Sequence, residues 1–234
     1  MTATFAFIFA RGGSKGIPKK NLSLLGGVPL LSHSIRAALC NQYVQKTFVS
    51  SDCPEILDTA FHEGAIPIHR PLYLAHDSSP ELESWKHAVS FVIRTYGQFD
   101  QFISLPCTSP LRSQTDINSA LFAHKKPFDL VMTMTPSSRS PWFNMVQQDS
   151  SGKITQLIQD QTIFRRQDAP ASFDLTTVAY VTSPNYILEC STLWDGTVTA
   201  IEVPQARSVD IDTPFDLMVA ELLFTKTNEQ YDSK

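Results

Sequence analysis

The chain has 234 residues, is 42% hydrophobic and carries a formal net charge of −4. That is enough apolar surface for one large core and too little positive charge for a face that grips nucleic acid. Its four cysteines, Cys40, Cys53, Cys107 and Cys190, form no CxxC pair, which argues against a zinc site or a disulfide framework and for a reducing, cytoplasmic setting.

Residues 1–10 lack a basic start and a signal-length apolar run, and no stretch approaches the ~20 apolar residues of a spanning helix. A soluble chain with no membrane partner is expected. Residues 4–10 (TFAFIFA) read as a buried strand. Residues 29–39 read as a helix opened by Pro29, with Leu30, His33, Ile35, Ala38 and Leu39 near helical spacing. KTFVSSD at 46–52 is the next strand and leads through Pro54 into a helix to about residue 63. A short strand at 65–68 precedes a loop and an amphipathic helix near 81–96, in which Leu82, Trp85, Ala88, Val89 and Val92 share a face. Then come a strand at 101–105, a helix at 114–124 and a strand at 128–134.

From 135 to about 173 the alternation breaks. PSSRSPW, a turn at 149–152 followed by KITQLI, and FRRQDAP suit a hairpin-like insertion. Order returns with strands at 175–181 and 197–203, a helix from Pro184 between them and a last helix after Pro214. Repeated βα units predict a three-layer α/β domain over 1–134 and 174–228, its sheet mainly parallel and its ligand at the carboxyl ends of the strands. Residues 135–173 are the insertion.

RGGSKGIPKKN at 11–21 directly follows the first strand. Gly12 and Gly13 let the backbone turn its amides toward an anion beside Ser14, while Arg11, Lys15, Lys19 and Lys20 add charge. Phosphate is the natural ligand, although the loop is neither a Walker A loop nor a GxGxxG dinucleotide loop. A solvated basic turn is the plainer alternative. Near the other end, VDID places Asp210 and Asp212 on one side of an extended segment, a pairing that suits Mg²⁺ shared with substrate phosphates. The alternative is that Asp212 merely caps the helix starting near Thr213 and Pro214 while Asp210 sits in solvent.

ARGGSKGIPKKNL (10–22), VSSD (49–52), RPLYLAHD (70–77), TSPLR (108–112), RRQ (165–167) and VDIDTPFDL (209–217) occur in that order. Together they resemble the blocks of the CMP-sialic acid synthetase family, the acylneuraminate cytidylyltransferases. The resemblance implies a nucleotidyltransferase-like fold in which Arg11 and Lys20 contact the CTP phosphates, helped by the Gly12–Gly13 loop and the amides around Ser14 and Lys15. Asn21 and Arg70 then read base and ribose; read alone, Arg70 is equally a surface charge before a proline. It implies a Mg²⁺ role for Asp210 and Asp212, with Asp212 also helping to take the hydroxyl proton of a keto-sugar acid. Arg166 and Gln167 become candidate sugar contacts, or else polar insertion surface. The insertion becomes a homodimerisation arm with Trp142, Phe143 and Phe164 as apolar contacts, unless these rings cover the protomer's own core.

Three departures fall on the sugar-facing blocks. Pro106 stands where a glutamine is expected, Asp174 where an arginine is, and Glu81 where a serine is. Phosphate and metal blocks are kept while sugar contacts change, so N-acetylneuraminate itself is in doubt, and legionaminate, pseudaminate or another nonulosonate fits as well. Two other readings stay open: a DxD nucleotide-sugar glycosyltransferase, which leaves the basic loop unexplained, and a non-catalytic nucleotide-binding protein.

Overall fold

The computed structural model describes residues 2–159, 163 and 165–232. Strand β1 spans Thr4–Phe9, and its alternation decides which layer each side chain enters. Ala6 and Ile8 point into one core, and Phe5 and Phe7 into the other.

After β1 come a two-residue hairpin, β2 (Leu24–Leu25) and β3 (Val28–Pro29), and helix α1 (Leu30–Leu39). The hairpin is absent from the sequence reading, although Gly26-Gly27 carries its signal: both glycines have positive φ, 57° and 79°, as a tight hairpin turn demands. Pro29 closes β3, pairing with Leu24, and is at the same time the N-cap of α1, one residue before the helix proper. Leu39, read as part of the buried face, is exposed at the end of α1.

Next come β4 (Val44–Ser51), α2 (Pro54–His62), β5 (Ile66–His69), α3 (Glu81–Tyr96), β6 (Gln101–Ser104), α4 (Gln114–Ala123) and β7 (Leu130–Pro136). Within the insertion, β8 (Val146–Gln148) and β9 (Ile154–Gln156) form a separate antiparallel hairpin closed by the turn the sequence signals. The chain returns as β10 (Phe173–Thr182), α5 (Pro184–Glu189), β11 (Val198–Glu202) and α6 (Pro214–Asp232).

Seven strands form the main sheet in the order β11-β7-β10-β6-β1-β4-β5. β10 runs against both of its neighbours and the other strands run together. On one face β1 packs with α1, α4 and Ala220 of α6. On the other, Phe7, Phe48 and Phe102 lie beneath Trp85, Val89 and Val92 of α3, and burying each such ring contributes about 1.5–3 kcal/mol. One polarity for nearly all strands brings the loops after β1, β4, β5, β6, β7 and β11 to one edge of the sheet. β10 enters at that same edge because it runs the other way.

Candidate active site

At that edge lies a cleft of about 580 Å³. The loop after β1 forms one wall. Gly16 sits there by necessity: a Cβ at this position would come within 2.2 Å of the Asp212 carbonyl oxygen, so only glycine lets the loop press against the segment before α6. Asn21 holds the loop from behind, its amide donating to the Arg11 carbonyl at 2.9 Å.

Arg11, Ser14, Lys15, Lys20 and Asn21 line the cleft. Gly12 and Gly13 do not, and the Gly12 amide donates to Asp52 at 3.0 Å instead of turning toward the cleft. The fourth loop cation, Lys19, pairs with Glu55 on α2 at 2.6 Å and faces away. Three cations therefore remain for an anion. Lys20 is held by Asp212 at 2.7 Å, and Arg11 and Lys15 both close onto Asp77. Lys15 and then Arg11 hold the Asp77 carboxyl below its usual range. Asp77 had no role in the sequence reading; its partners lie more than sixty positions away, a separation no local pattern reports.

The opposite wall comes from β5 and α3. Arg70 is 5% exposed, which removes the surface-charge alternative. It donates from Nε and Nη2 to Ser50 and stands over the Phe9 ring at 5.6 Å. Burial lowers its pKa, against the charges of Asp52 and Glu81. Glu81 is open to the cleft, yet the protein around its carboxyl pushes its pKa up.

Thr108 closes the floor. Its backbone carbonyl accepts from Ile211 N–H at 2.8 Å, locking the aspartate segment to the loop after β6. That loop hangs on Arg112, which is buried and donates to the carbonyls of Val178 and Pro106 and to Ser34; burial lowers its pKa to about 10. Cys107 is equally buried, its thiol pushed up to about 12, so it stays protonated and is no nucleophile.

The two aspartates part company. Asp212 lines the cleft, whereas Asp210 lines an adjoining recess of about 320 Å³ with Asp174 and Thr176. Asp210 is half-buried, and its Oδ1 is buried and lacks a partner. Burial and then the Asp212 charge raise its pKa, against the hydroxyls of Thr108 and Thr177. The capping alternative for Asp212 also falls. Thr213 caps α6, its hydroxyl accepting from Asp216 N–H at 3.3 Å while Asp216 accepts from Thr213 N–H at 2.7 Å. A break in the β10–β7 register after Thr176 frees Thr177 to reach Ser109 at 2.7 Å.

The insertion's candidates lie elsewhere. Gln167 is exposed on a short 3-10 turn, Arg166–Asp168, and lines neither recess. Phe164 and the side chain of Arg166 lie outside the described residues.

Residues 5–174 match the cytidylyltransferase family. The chain belongs to that family. It is a nucleotidyltransferase, which sets aside the glycosyltransferase and the non-catalytic reading. It is 32% identical to the CMP-N,N'-diacetyllegionaminic acid synthase of Legionella pneumophila, over 96% of this chain and 97% of that one. It is 33% identical to N-acylneuraminate cytidylyltransferase B of Danio rerio, over 92% of this chain and 50% of that one. Among solved structures it resembles a CMP:2-keto-3-deoxy-manno-octonic acid synthetase complexed with CTP. That likeness has TM-score 0.72 at 16% identity, covers 97% and 100% of the two chains, and speaks to the fold.

Proposed function

We propose that this enzyme transfers CMP from CTP to a nonulosonic 2-keto-sugar acid. The anomeric hydroxyl oxygen attacks the α-phosphorus in line, the bond from that phosphorus to the bridging oxygen breaks, and pyrophosphate leaves. The observation that carries the reading is one cleft holding Arg11, Lys15 and Lys20 against Asp212, in a chain of the cytidylyltransferase family. Those cations hold the triphosphate and offset charge on the leaving group. Asp212, engaged by Lys20 through Oδ1 alone, helps take the hydroxyl proton.

The donor set fits Mg²⁺. The unpartnered Asp210 Oδ1 and the nearby Asp212 supply two carboxylates, and substrate phosphate and water complete such a site without a third. Bound there, Mg²⁺ neutralises phosphate charge and lowers the pKa of the attacking hydroxyl. Asp174 and Thr176, beside Asp210, face the position we assign to the sugar.

The insertion supports a homodimer: Phe143, Val146, Ile154 and Leu157 are all exposed and do not cover the protomer's own core. No described helix is long and apolar enough to cross a membrane, and we place the reaction in the cytoplasm, where CTP is found.

The test is pyrophosphate release from CTP and Mg²⁺ across a panel of sugar acids that includes legionaminate, pseudaminate and N-acetylneuraminate. Release with at least one, lowered about 10²-fold by Lys20→Ala, is expected. No release with any member, from folded protein, overturns the reading.

A further inference from the structure

The three cations of the cleft wall do not stand free: each carries a carboxylate. Asp212, on Lys20, belongs to the segment that Ile211 locks to the floor. Asp77 sits instead on a strap between two anchors. Upstream, Arg70 N–H donates to the Ser51 carbonyl at 2.8 Å, and Leu74, which ends the 3-10 turn Leu72–Leu74, is 8% exposed. Downstream, the Ser84 hydroxyl of α3 donates to the Leu74 carbonyl at 3.4 Å. Between these anchors the bonds are local: Ala75 N–H donates to Leu72, Ser79 N–H to His76 and the Ser79 hydroxyl to the Tyr73 carbonyl. Asp77 links this strap to the facing loop, one carboxyl oxygen on Arg11 and the other on Lys15.

We propose that Asp77 is a built-in competitor of phosphate: its carboxylate holds Arg11 and Lys15 until a triphosphate takes them, and reclaims them from pyrophosphate after transfer. This rests on the cytidylyl-transfer reading above. Two cations bridged by the two oxygens of one carboxylate are spaced as two oxygens of a phosphate need them. Asp77 and a phosphate cannot share that pair without bringing like charges together. Both ion pairs are open to water, with side-chain exposures of 34% at Arg11, 44% at Asp77 and 79% at Lys15, so each is weak and readily exchanged. A triphosphate sets several charges against one and displaces the carboxylate. Pyrophosphate, once cut from the nucleoside, meets the same competitor without that tether. Asp77 thus weakens the hold on both. Were Asp77 only a brace for the two cations, its loss would weaken phosphate binding, so the two roles differ in sign.

Binding of CTP and of inorganic pyrophosphate is measured by calorimetry with Mg²⁺ in the wild type, Asp77→Asn, Asp77→Ala and Glu55→Gln, each checked by thermal melt. Glu55 pairs with Lys19, which faces away from the cleft, so its substitution removes one negative charge without touching Arg11 or Lys15. Both Asp77 variants should bind both ligands about 3- to 10-fold more tightly, the size of two exposed ion pairs no longer competing. Glu55→Gln should stay within about twofold of the wild type, its charge being screened from the cleft. Unchanged or weaker binding in the folded Asp77 variants, or an equal gain in Glu55→Gln, overturns the proposal. So does a folded wild type that binds neither ligand. Tighter pyrophosphate binding confined to the Asp77 variants, with no pyrophosphate release from CTP and any sugar acid, supports the competitor and counts instead against the transfer reading.

Discussion

Asp210 and Asp212 are two positions apart and have different neighbours, and that difference is testable. Asp210 places a buried, unpartnered oxygen beside a second carboxylate, an arrangement that a divalent cation relieves. Asp212 holds Lys20 and leaves capping of α6 to Thr213 and Asp216. Asp210→Asn and Asp212→Asn should both raise the Mg²⁺ concentration needed for half-maximal rate by at least about tenfold, since an amide keeps a hydrogen bond but loses the charge that holds a hard cation. Thermal melts should separate them. Asp212→Asn leaves the cap intact and the melt unchanged, whereas Asp210→Asn removes a half-buried charge that repels the Asp212 carboxylate and stabilises the empty protein. Unchanged Mg²⁺ dependence in both variants would remove the aspartates from the metal site.

Between α4 and the segment before α6, one pair of side chains decides where the aspartates sit. Asp116 closes the capping box of α4 with Ser113 and also accepts a two-pronged bond from Arg207, at 2.8 and 2.9 Å. Arg207 lies on the 3-10 turn Gln205–Arg207, just ahead of Val209, so the pair pins the entry to the aspartate segment. Burial alone would raise the Asp116 pKa, but Arg207 and Ser113 override it and the net direction is down. Its contribution is therefore complete above its ordinary value and is lost as pH falls through the lowered folded value. Asp116→Asn should cost about 2 kcal/mol in urea melts at neutral pH, and the variant should lose less further stability than the wild type below about pH 4. Equal acid sensitivity in both proteins would count against the pair.

On the scale of the whole molecule, two groups of apolar side chains stand exposed. Phe143, Val146, Ile154 and Leu157 stand on the insertion, and Phe215, Met218 and Leu222 form a stripe along α6. A homodimer burying the insertion should give twice the chain mass in light scattering at micromolar concentration. Ile154→Lys, which changes a strand side chain 61% exposed in the protomer, should shift the mass toward monomer without lowering the thermal melt of the core. Wild-type protein at the monomer mass with full activity would refute the dimer.

The local content of the chain was legible without coordinates. The strand readings at 4–10, 46–52, 101–105 and 197–203 became β1, β4, β6 and β11, the apolar face of 81–96 became α3 with its ends unchanged, and the ordered blocks pointed to the family that residues 5–174 match. These depend on neighbours within a few positions, where spacing and turn chemistry act directly. What spacing could not supply was pairing across the chain: the reversed direction of β10, the turning of Lys19 and the Gly12 amide away from the cleft, the clasp of Asp77 on Arg11 and Lys15, and the burial of Arg70. Each is settled by which groups the sheet order brings within reach, because a charge or an amide takes the partner nearest in space, and only the folded sheet sets that distance.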